Sequence, residues 1–96
     1  MRVIATEPAV RFIRERGGAL YVWADVARCP GCSVPFLEAS TEPPQGGRRF
    51  ARLSGGDFEL FYDSGGLERP GRLVIELRGW RTKRLLVRTP DFWIKE

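Results

Sequence analysis

Three pairs of glycines, at 46 and 47, 55 and 56, and 65 and 66, cut the second half of the chain into pieces of strand length. Glycine reaches positive φ without steric cost, so such pairs mark places where extended segments reverse. Around them, residues 34–39, 49–53, 58–62 and 73–77 alternate apolar and polar side chains at period two, and residues 85–87 form a shorter apolar run. Pieces of this length and period cannot hold a stable helix. The pattern predicts strands joined by tight turns, with residues 79–83 as a hairpin turn and residues 43–47 as a loop.

The first quarter reads differently. Thr6-Glu7-Pro8-Ala9 offers an N-cap, an acidic first turn and a proline where a missing N–H does no harm. Ala9, Phe12 and Ile13 then form an apolar face, and Gly17-Gly18 supplies a left-handed stop, so a helix is expected over residues 7–16. Residues 3–5 form a candidate short strand before it. Residues 19–24 mix aliphatic and aromatic side chains as a strand does when both its faces are partly covered. At 96 residues and 43% hydrophobic content, the chain suits one folded domain. The expected class is α+β: a predominantly antiparallel or mixed sheet, arranged largely as a meander, with one N-terminal helix.

Sixteen basic residues, fourteen of them arginine, stand against twelve acidic ones, a net charge of +4 that suits an anionic partner. No window approaches the roughly 20 apolar residues of a spanning helix, and the N-terminus does not lead into the apolar core of a signal peptide. A cytoplasmic location is expected. With no asparagine, one glutamine and one methionine, the composition also matches the depletion of thermolabile residues in heat-adapted, thermostable proteins.

In a reducing compartment, Cys29-Pro30-Gly31-Cys32 is more in keeping with a metal or redox site than with a structural staple. Two thiols flanking such a turn can hold a soft metal or close into an exchangeable disulfide. A structural zinc site needs four Cys or His ligands, and these 96 residues contain two Cys and no His. Completion calls for a second subunit, for carboxylates such as Glu38 or Asp63, or for a small-molecule thiol. The plainer alternative is two thiols in a turn with no further role. A thioredoxin-like site fits less well, because residues 33–37 alternate like a strand and Pro35 falls where the required helix would run.

The order of elements resembles the HesB-like domains, which include the A-type iron–sulfur carriers. The matching residues are Thr6, Ala9 and Ile13 in a Thr-x-x-Ala-x-x-x-Ile helix start, then Gly31-Cys32-Ser33 after a strand. Residues 58–63 with Leu67 are similar to the family's strand-Asp-x-x-x-Leu segment. The resemblance implies a single HesB-like domain over residues 1–96, an iron–sulfur cluster or another metal as cofactor, and iron–sulfur assembly proteins as partners. By that match Cys32 is a ligand and Cys29 is an addition, while the family's C-terminal Cys-x-Cys has no counterpart here. A homodimer pairing Cys29 and Cys32 from each copy would supply four thiolates, enough for a [2Fe–2S] cluster or zinc.

A second reading rests on Arg78, Trp80, Arg81, Lys83, Arg84 and Arg88, a stretch without an acidic residue. Arginines beside an aromatic can hold a phosphate backbone and stack a base. The alternative is an exposed hairpin kept soluble by charge. Arg48, Arg49 and Arg52 read as a solvated strand face. Without histidine the usual Ser-His and Cys-His pairs cannot form, no phosphate loop is present, and Asp57 with Glu59 reads as a wet face, so catalysis is not expected. Phe12, Trp23, Phe36, Phe50, Phe58 and Phe61 are expected in the core, and Trp93 as an anchor for the last strand.

Overall fold

The computed structural model describes residues 2–54, 56–65, 71–79 and 82–89. In chain order the elements are β1 (Arg2–Ala5), α1 (Glu7–Glu15), β2 (Ala19–Cys29), β3 (Cys32–Ser40), β4 (Ala51–Ser54), β5 (Glu59–Asp63), β6 (Arg72–Arg78) and β7 (Arg84–Arg88). They build two sheets, β1-β6-β7 and β3-β2-β5-β4. Among the described residues the protein is therefore α+β, with mixed sheets and one short helix.

The expected meander is present only in part. The hairpins β2–β3, β4–β5 and β6–β7 are antiparallel, whereas β1 lies parallel to β6 and β2 parallel to β5. Alternation along a sequence shows which residues share a face, but carries nothing about which strands become neighbours. Parallel neighbours need long connections, and here β3 and β4 lie between β2 and β5 in the chain, while α1 and β2 to β5 lie between β1 and β6.

Helix α1 begins at Thr6, which holds the extended N-cap conformation (φ −69°, ψ 155°) without a side-chain capping hydrogen bond. Ala9 and Ile13, one turn apart, are fully buried. At the other end, Gly18 N–H donates to the Ile13 carbonyl at 2.9 Å and Gly17 N–H to that of Arg14 at 3.4 Å. This is the Schellman pattern, and φ values of +111° at Gly17 and +82° at Gly18 explain why both positions are glycine. Glu59 N–H then donates to the Gly18 carbonyl at 2.9 Å, tying the helix end to β5.

Period two sorts the strands cleanly. Leu20, Val22 and Ala24 of β2, Leu60 and Tyr62 of β5, Leu73 and Ile75 of β6 and Val87 of β7 are buried, as are Ala9, Ile13 and Phe58. Most of these residues form one hydrophobic cluster that links the helix to both sheets. The core is thus mainly aliphatic, which corrects the expectation of an aromatic one. Of the six residues proposed, only Phe58 is buried. Phe12 lies under the Arg16 guanidinium, 4.2 Å from its carbon. Trp23, Phe36 and Phe61 fall on the odd, outward parity of β2 and β5 or opposite it on β3, and Phe50 packs edge-on against Tyr21 and Trp23. Trp93 lies outside the described residues.

Two substitutions test this packing by chemical denaturation. Leu20→Ala removes a fully buried side chain and should cost about 2–5 kcal/mol. Gly65→Ala removes no contact, yet Gly65 sits at φ +61° and an added Cβ would lie 2.7 Å from the Ala24 carbonyl oxygen. It should still cost about 1–3 kcal/mol.

Candidate functional site

The strand expected to end at residue 24 runs on to Cys29, and β3 begins at Cys32. Pro30-Gly31 is a two-residue hairpin turn, with Cys29 and Cys32 directly opposite each other at its base. Proline holds φ near −65°, and Gly31 has φ +77°, the sign pattern of a type II turn. The two Cα atoms are 5.1 Å apart, inside the span a disulfide requires, and the sulfurs are bonded to each other.

Strand β5 pairs with β2 only as far as Trp23, opposite Asp63. Beyond that point the β2–β3 hairpin is a two-stranded ribbon, and every residue from Ala27 to Val34 is exposed. Pro35 lies opposite Val26 on β3, the edge strand of its sheet. Pairs alternate between bonded and non-bonded outward from a two-residue turn, so the missing N–H of Pro35 falls on the side away from β2.

Side-chain parity then defines a face. Cys29, Ala27, Asp25, Trp23 and Tyr21 point to one side of β2, with Cys32, Val34, Phe36, Glu38 and Ser40 opposite them on β3. It is the face turned away from the core residues Leu20, Val22 and Ala24. Around the thiol pair it is uncharged, and Val34 next to Cys32 is 44% exposed.

Further along the same face lies a contact that the sequence pattern did not reveal. Arg48, from the loop after β3, reaches Asp25 Oδ2 at 3.2 Å and Asp63 Oδ2 at 3.9 Å. Its guanidinium carbon sits 5.4 Å from the centre of the Trp23 ring. The Arg48 side chain is only 26% exposed and that of Asp63 only 17%, which corrects the reading of Arg48 as part of a solvated strand face. Tyr21 stacks on Phe61 at 4.9 Å, so the loop covers a small aromatic cluster. Sequence separation hides this contact: Arg48 and Asp25 lie 23 positions apart.

Neither carboxylate considered as an extra metal ligand comes to the thiols. Asp63 accepts the Gly65 N–H at 2.9 Å and faces Arg48. Glu38 is opposite Trp23, and its six residues of strand from Cys32 amount to about 20 Å. Among the described residues no three Cys, Asp or Glu side chains gather as a metal-binding group. Asp57 precedes β5, and Glu59 on that strand pairs with Arg52 at 3.2 Å.

The basic segment is less isolated in space than in sequence. Glu76 of β6 holds Arg88 at 3.1 Å and Arg78 at 3.7 Å, while Arg84 lies opposite Arg78. Lys83 is exposed and borders a groove beside Arg11, Phe12 and Arg16 of the helix segment. Trp80 and Arg81 lie outside the described residues.

No protein-family model matches the chain, nor does any curated protein or solved structure. Among the described residues no helix is long and apolar enough to cross a membrane.

The Cys29–Cys32 bond closes a very short loop, with a sequence separation of 3. Chain-entropy arguments give so small a loop only about 2 kcal/mol of stabilisation. Denaturation with and without a reducing agent should therefore show a fall of no more than about that size, with the cooperative transition retained.

Proposed function

We propose that this chain is a cytoplasmic HesB-like domain that binds zinc or an iron–sulfur cluster through the reduced Cys29 and Cys32 thiolates, with two copies completing the site. One observation carries the reading: the two cysteines face each other across a hairpin turn, exposed and on the same side of the ribbon. Two thiolates held at this spacing suit half of a four-thiolate donor set. The other half must come from outside, since no further donor group accompanies them among the described residues. The face around the pair, with Ala27 and Val34 beside the thiols, carries no charge and so favours a second copy, because two such faces can approach without like-charge repulsion. The order strand, helix, strand, cysteine turn supports the HesB-like part of the reading, as does the burial of Ala9 and Ile13, two residues of the family's helix pattern. Iron–sulfur assembly proteins are the partners that follow from it.

While the sulfurs are bonded to each other they offer no thiolate to a metal. Loading therefore follows reduction by a dithiol, which is itself oxidised to a disulfide and leaves two thiols whose protons pass to solvent as the metal binds the thiolates. Anaerobic purification under reducing conditions, elemental analysis and absorption spectroscopy test this. The reduced chain should take up one zinc ion or one [2Fe–2S] cluster per two chains, the oxidised chain neither, and Cys29→Ser or Cys32→Ser far less than the parent. Reduced protein that stays free of both metals after reconstitution rules the reading out.

The observed Cys29–Cys32 bond also favours a second reading, thiol–disulfide exchange. One thiolate of an external dithiol would attack an exposed sulfur to form a mixed disulfide, and its second thiolate would resolve that bond, leaving this chain as the dithiol and the partner as the disulfide. The thiols lie at the tip of a hairpin and not at a helix N-terminus, where a redox Cys-x-x-Cys pair would usually sit. Exchange no faster than that of an unstructured Cys-Pro-Gly-Cys peptide, measured against a small dithiol, rejects this second reading.

A further inference from the structure

The outer face of the β1-β6-β7 sheet gathers the charge surplus of the chain. Arg2 lies opposite Arg72 at one end of the sheet, Arg78 opposite Arg84 at the other, and Arg88 opposite Val74 between them. The inward parity of these strands is taken by Val3, Ala5, Leu73, Ile75, Leu77, Leu85 and Val87. Arg2, Arg72, Arg78, Arg84 and Arg88 therefore share the opposite face, and all five are exposed. Glu76, paired with Arg88 and Arg78, is the only carboxylate that these three strands place there.

The formal charges of the five arginines and the one glutamate on these strands sum to +4, equal to the +4 of the entire chain, and Arg72 also interacts with a group beyond these strand pairs. The remaining eleven basic and eleven acidic residues cancel. The sequence had grouped Arg78, Arg84 and Arg88; the parallel β1–β6 pairing adds Arg2 and Arg72 to the same surface.

The arrangement is long and narrow. From Arg72 to Arg78 it extends six residues along β6, about 20 Å, while three strands make it only about 10 Å wide. Such a strip suits a linear polyanion better than a planar one. Guanidinium groups bind phosphate through paired hydrogen bonds, and Ile4 and Leu86, both partly exposed, leave apolar surface between them. We propose that this face binds the sugar–phosphate backbone of a nucleic-acid strand without regard to sequence. A membrane surface is the poorer fit, because among the described residues the face carries no tryptophan or tyrosine to sit at the headgroups. The proposal stands independently of the cysteine site.

Fluorescence anisotropy with a labelled mixed-sequence single strand, over a range of salt concentrations, provides the test. Four or five phosphate contacts predict a slope of log affinity on log salt of about −3. Arg78→Gln with Arg84→Gln should make that slope shallower by about 1.4, two contacts' worth. Arg11→Gln with Arg16→Gln removes the same charge from the helix segment and should leave the slope unchanged. Glu76→Gln should tighten binding, since it frees Arg78 and Arg88 and adds a charge to the face. Three results overturn the proposal: equal losses in the two double variants, no binding at low salt, or binding to vesicles rich in phosphatidylserine with none to the oligonucleotide.

Discussion

The register of the β2–β3 ribbon governs most of what this protein presents to its surroundings. Pro30 and Gly31 form a two-residue turn that sets Cys29 against Cys32, and every later pair along the ribbon follows from it. A slip of one residue would turn Leu20, Val22 and Ala24 outward and bring Tyr21, Trp23 and Asp25 into the core. The placement of the thiols is thus bound to the placement of the core. The separate parallel register of β2 with β5 then sets Phe61 beside Tyr21 and Asp63 within reach of Arg48.

The strands themselves were largely legible in the sequence. Residues 34–39, 58–62 and 73–77 alternate strongly; the observed strands β3 and β6 extend two of them by two or three residues, and β5 is offset from the third by one. The helix was equally plain, since Gly17-Gly18 could hardly serve anything but its C-terminal turn. The distal half of β2 was harder. Asp25-Val26-Ala27-Arg28 alternates weakly because neither face of the ribbon is buried there, so burial leaves no imprint on the residue types. The cysteine pair could be found as a motif, but its membership of an exposed strand face could not.

Other features escaped for a different reason. Which strands lie side by side depends on long connections, and neither alternation nor turn chemistry records it. The contact of Arg48 with Asp25 and Asp63 is of this kind, as is the meeting of Arg2 with Arg72 across β1 and β6. Large aromatic side chains need not be deep ones. Half-buried rings such as Trp23, Phe50 and Phe61 cover the outside of the four-stranded sheet under a loop, while smaller aliphatic side chains fill the space between the sheets.

Two sheets that bury their inner faces in one cluster must turn their outer faces in different directions. Here those faces also differ in chemistry. The outer side of β2 and β3 carries thiols, aromatic rings and a neutralised Arg48, whereas the outer side of β1, β6 and β7 carries the five arginines. Neither set of groups lies on the other's sheet, so a ligand or partner on one face leaves the other open. A chain of 96 residues with a single core has little interior to give to a site. Its period-two strands solve this by assigning one parity to the core and leaving the other, on each sheet, for surface chemistry.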